Sequence, residues 1–71
     1  MAALVKYDHG TKYAEFSIDS AAELELLPTT TAAGSVSGLA GAVAAGSAAY
    51  LTDGTLGIYT LDGSDTWNAV N

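Results

Sequence analysis

The sequence predicts a mainly β fold: small antiparallel β-hairpins with one short helix at about residues 20–27, completed by oligomerisation. Three observations carry this. First, Asp53-Gly54 and Asp62-Gly63 punctuate the apolar runs of YLTDGTLGIYTLDGSDTW, and Asp-Gly in that setting signals a hairpin because a two-residue I′ turn needs positive φ at both central positions. Second, apolar and polar residues alternate with the period of a strand near both ends of the chain. Third, the chain is thinly filled. Of its 71 residues 49% are nominally hydrophobic, but much of that is alanine, whose burial contributes little beside Leu, Ile or an aromatic ring. A domain this small buries only about 60% of the surface its unfolded chain exposes. Without cysteine, and with His9 as the one histidine, association is the support left to it.

The elements follow in order within one small domain, residues 1–71. Residues 1–18 form an N-terminal hairpin whose strands AALVKY and TKYAEFSI flank a turn at Asp8-His9-Gly10, where Gly supplies a positive φ and Asp bonds its own backbone. Ala14, Phe16 and Ile18 fall on one face of the second strand, and Tyr13, Glu15 and Ser17 on the other. Residues 19–27 carry the short helix. Ser20 and Glu23 have capping-box spacing, Leu24 and Leu27 face the sheet by the i, i+3 rule, and Pro28 ends it. Residues 28–46 are an uncharged connector, extended or flexible, with part of it ordering as a short helix against a neighbour. Residues 47–71 form a C-terminal meander of three short strands, SAAYLTDG, TLGIYTLDG and SDTWNAVN. In its middle strand Ile58 and Thr60 share one face with Leu56, while Tyr59 and Leu61 share the other with Gly57.

Charge excludes several classes of function. The formal charge is −6, from eight carboxylates against Lys6 and Lys12. Nucleic acid is excluded as a partner because displacing counterions from phosphates needs several Lys or Arg. Anionic membrane surfaces fail on the same ground. The stretch Leu27 to Leu51 has no charged residue, which raises a holin-like membrane peptide, but Ala, Gly, Ser and Thr dominate it and no basic residue flanks it to set a topology. The opening MAALVKYDHG lacks the basic-then-apolar pattern of a secretory signal.

No residue constellation predicts chemistry. Asp53, Asp62 and Asp65 offer oxygen ligands for a cation such as Ca²⁺, yet their spacing is not that of an EF-hand, and Asp beside Gly is what turns use. His9 reads as a solvated turn residue. The glycines of GSVSGLAGAVAAG lack a phosphate-binding pattern. The expectation is no enzyme, no metal and no cofactor. The residues that remain are candidate interface positions, namely Tyr7, Tyr13, Leu39, Val43, Tyr50, Tyr59 and Trp67, since aromatic rings dominate binding hot spots. For Trp67 a core position is the stronger expectation, as a filler of a thin interior.

The phrases LPTTTAAG, Gly46-Ser47 before Tyr50, Ile58-Tyr59 before a turn, and a closing Trp67 resemble short virion proteins of tailed bacteriophages, of the head-fibre and capsid-decoration type. The resemblance spans roughly residues 24–71. It implies a non-enzymatic structural protein on the outer capsid surface of the virion, bound to the major capsid protein as a homo-oligomer, with three copies as the expected number. The N-terminal hairpin or the uncharged connector would make the contact. The alternative from another class is a small carbohydrate- or host-surface-binding module using Tyr50, Tyr59 and Trp67.

Overall fold

The computed structural model describes residues 2–36, 41–52 and 57–70. It is mainly β, with five strands and one short 3₁₀ helix, η1 (Ala21–Leu26). The strands are β1 (Ala3–Tyr7), β2 (Ala14–Ile18), β3 (Ala48–Leu51), β4 (Ile58–Leu61) and β5 (Trp67–Ala69), and they lie side by side in chain order. β1–β2, β3–β4 and β4–β5 pair antiparallel, whereas β2 and β3 pair parallel, Glu15 beside Ala48 through Ile18 beside Leu51. The parallel pair joins the two predicted hairpin regions into one sheet. It requires a crossover of at least a dozen residues, which residues 19–47 supply.

That crossover becomes the second layer. Period-2 alternation sends Leu4, Tyr7, Ala14, Phe16, Ile18, Ala49, Leu51, Tyr59, Leu61 and Trp67 to one face, where Leu24, Leu27, Val36 and Val43 of the crossover pack over them. Phe16, Ile18 and Ala49 are fully enclosed. The described part of the connector is therefore more than a spacer: Val43, expected at a contact with a partner, is 2% exposed and fills the chain's own core. Leu39 lies outside the described residues.

The helix differs in kind from the expectation. Its last bond runs from Leu27 N to Leu24 O at 3.2 Å, the tighter i+3 closure common in short segments held at both ends. Ser20 makes no side-chain cap. Glu23 instead accepts from the Asp19 backbone N–H at 3.2 Å. Leu27 takes the extended conformation before Pro28, φ −77° and ψ 150°, as steric exclusion by the proline ring demands.

The turns also work differently. At the β1–β2 turn Gly10 N donates to Asp8 Oδ1 at 2.9 Å, but the positive φ belongs to Lys12, at 66°. At the β4–β5 turn Ser64 N donates to Asp62 Oδ1 at 2.8 Å, and the positive φ belongs to Asp65, at 62°. Between the strand ends these loops have six residues, 8–13, and five, 62–66, and each closes with a left-handed residue, an alternative to the two-residue turn. Asp53-Gly54 lies outside the described residues. Glycine is indispensable elsewhere: at Gly34 φ is +66° and an added Cβ would stand 2.6 Å from Pro28 N. There the connector folds back on the end of η1, with Ser35 N bonded to Leu26 O at 2.8 Å.

Candidate functional site

Of the seven sequence-predicted interface residues, the six that are described do not converge. Tyr7 is half-buried on the covered face and meets His9 edge-on, ring centres 4.8 Å apart. Tyr59 and Trp67 also belong to the covered face, packed against the core. Trp67 stands edge-on to Phe16 at 6.0 Å, and its Nε1–H donates to Pro28 O at 3.1 Å. Tyr50 lies on the opposite face, and Tyr13, 51% exposed, borders Gly46 beside it. Tyr50, Tyr59 and Trp67 thus straddle the sheet and form no common platform.

Two polar networks hold the covering layer down. Asp65 accepts from Thr30 N at 3.0 Å, from the Thr30 hydroxyl, and from Thr31 Oγ1 at 2.8 Å. The Thr30 and Thr31 hydroxyls favour its charged form and hold its carboxyl below the usual range. Asp62 is held low by the Thr66 backbone N–H and the Asn68 amide. Asp8 is held low by the Gly10 backbone N–H and the Thr11 hydroxyl. These carboxylates are turn and loop acceptors. Among the described residues no three of His, Cys, Asp and Glu stand together as metal ligands. The second network is Ser47, 1% exposed, whose hydroxyl accepts from Ala14 N at 3.0 Å and donates to Ala44 O at 2.8 Å.

The other face of the sheet has no covering layer among the described residues. By register, two rows cross it. Lys6, Glu15, Ala48, Thr60 and Asn68 form one. Ala3, Ser17, Tyr50 and Ile58 form the other, extended to Val70 by its N–H bond to Ile58 O at 2.8 Å. A bulge in β1 puts Val5 beside Lys6 on this face, where it is 59% exposed; Val70 is 60% exposed. None of these side chains is fully buried. Near the β1–β2 turn the face dips into a groove of about 260 Å³ lined by Lys6, Asp8, Tyr13, Glu15, Ala48 and Tyr50 among others. In it the Tyr50 hydroxyl donates to Glu15 Oε1 at 3.2 Å. Burial and the Glu15 carboxylate both push the Tyr50 hydroxyl up, so it remains a protonated donor at neutral pH.

Sequence reasoning missed Ser47, which carries no local signal for its bond to a residue 33 positions away, and missed the docking role of Asp65. It also missed the two-row face, although the alternation within β4 was legible. The rows line up only once β2 and β3 pair.

Compared with known protein families, with curated proteins and with solved structures, the chain matches none of them. Among the described residues no helix is long and apolar enough to cross a membrane.

Proposed function

We propose that this chain is a non-enzymatic structural protein of a virion, of the capsid-decoration or head-fibre type, which works by adhering to copies of itself and to the shell. The observation that carries the reading is a sheet that the described residues cover on one side only. A domain with a thin core gains stability by burying such a face in another protein, and a structural component of an assembly has that burial built into its role. The edge strand β1, with unpaired backbone groups along one side, supplies a separate surface for the capsid, consistent with the N-terminal hairpin as the point of attachment. The net charge of −6 keeps the particle soluble. Trp67 spends its indole N–H on Pro28, which leaves little support for a sugar platform built on Trp67, Tyr59 and Tyr50.

The test is fractionation of virions from a culture that expresses the chain, with antibody detection. Co-sedimentation with intact capsids, and gold label on their outer surface by electron microscopy, is the expected result. A chain found only in the cell envelope or the soluble fraction overturns the proposal.

A further inference from the structure

We infer that Asp62-Gly63 is a latent site of backbone isomerisation, held shut by the hydrogen bonds that fix the Asp62 carboxylate in the β4–β5 turn and opened when β5 leaves the sheet. The inference goes beyond the proposed function and rests on this turn alone.

The first argument is the glycine. An Asp-Gly pair between strands is ordinarily explained by positive φ, but the left-handed residue of this turn is Asp65. Gly63 does not have a positive φ, and a Cβ added to it would meet nothing within 4 Å. The fold therefore does not require glycine at this position. The difference glycine makes there is chemical, since a residue without a side chain leaves its amide nitrogen the least hindered path to the preceding carboxyl carbon.

The reaction is an internal dehydration followed by hydrolysis. The Gly63 nitrogen gives up its proton and bonds to Asp62 Cγ, one carboxyl oxygen leaves as water, and a succinimide ring closes. Water then opens the ring. Attack at Cγ restores aspartate. Attack at the former main-chain carbonyl leaves Gly63 joined through Cγ, with a free α-carboxylate and one more atom along the chain path. Water is the only co-reactant.

The second argument is the restraint. Asp62 Oδ1 accepts from Ser64 N at 2.8 Å and from Thr66 N at 3.0 Å, and Oδ2 accepts from Asn68 Nδ2 at 2.7 Å. Ring closure expels one of these oxygens and redirects the other, so it cannot proceed with all three bonds in place. The same donors favour the ionised carboxylate, the form from which oxygen leaves least readily. Thr66 immediately precedes β5 and Asn68 lies on it, and β5 is a three-residue edge strand paired only with β4. Short elements near a chain end open at lower free energy than the core. Opening of β5 removes two of the three donors at once. The extra backbone atom then lengthens the loop that sets Asp65 against Thr30 and Thr31, so isomerised chains lose that fastening of the covering layer.

The test is incubation of the full chain in neutral buffer, with isoaspartate at residue 62 located by electron-transfer fragmentation, which separates it from the other Asp-Gly pair at residues 53–54. The folded chain should accumulate it at least about tenfold more slowly than the same chain in concentrated urea, as a site reached only through local opening must. Asn68→Ala, shown to be folded by circular dichroism, should react severalfold faster than the native chain. Gly63→Ala should fold normally and isomerise far more slowly than the native sequence when both are in urea. A reading that needs no variant is the native rate at urea concentrations below the global unfolding transition, where it should already rise. Equal rates for folded and urea-treated chains, a folded Asn68→Ala protein with the native rate, a Gly63→Ala chain that fails to fold, or a native rate that rises only with global unfolding overturns the inference.

Discussion

Lys12 and Asp65 hold left-handed backbone where neighbouring glycines do not, at a cost of roughly 1–2 kcal/mol for a residue with a Cβ. Among the described residues the Lys12 side chain has no hydrogen-bond or ion-pair partner. Lys12→Gly should therefore stabilise the fold by up to about 1 kcal/mol, after the larger unfolded-state entropy of glycine is subtracted, as read by urea unfolding. At Asp65 the side chain matters as well. Asp65→Asn keeps a residue tolerant of that backbone and one oxygen acceptor for Thr30 or Thr31, whereas Asp65→Ala keeps neither. The alanine variant should melt at a distinctly lower temperature than the asparagine variant, and equal melting temperatures would count against the staple. Ser47→Ala leaves the buried Ala14 N–H without its acceptor and should lower stability by about 1–3 kcal/mol. Gly34→Ala meets both a positive φ and backbone within 2.7 Å, and should cost at least ~2 kcal/mol.

At the scale of elements, both described hairpin turns, β1–β2 and β4–β5, are organised around an aspartate held below its ordinary pKa, Asp8 in one and Asp62 with Asp65 in the other. The sign follows from linkage: a depressed carboxylate contributes stability above its unfolded value of about 3.9 and loses it as pH falls through the lower folded value. Thermal stability should hold level above about pH 5 and decline below pH 4, with Asp65→Asn flattening that decline. The strands and their inward residues were legible because alternation and turn residues are local signals: Ala14, Phe16 and Ile18 sit on one face as read, and β4 presents Ile58 and Thr60 opposite Tyr59 and Leu61. The 3₁₀ form of η1 was not legible, since the seven residues between Ser20 and Pro28 serve either helix. The parallel pairing of β2 with β3 was not legible either, because it joins residues about 33 apart and leaves no local trace. With it went the fate of the connector, whose Val36 and Val43 read as isolated apolar residues in a small-residue run until a sheet lies beneath them.

For the whole molecule, phrases from which a virion role was expected turn out to touch one another. Leu27 and Pro28 are buried residues of the crossover, Pro28 O receives the Trp67 indole, Thr30 binds Asp65, and Ser47 ties the start of β3 to β2. That pattern describes how one layer is fastened to a sheet, and it explains why the phrases occur together without assigning them a substrate. The candidate working surface is the opposite side of the sheet, where Tyr50 alone of the expected Tyr50, Tyr59 and Trp67 set resides. The account's central claim is that this chain covers one face itself and leaves the other to protein. Sedimentation equilibrium over a hundredfold range of concentration tests it most directly. A mass that rises above one chain with concentration is the prediction; one chain at every concentration would contradict it.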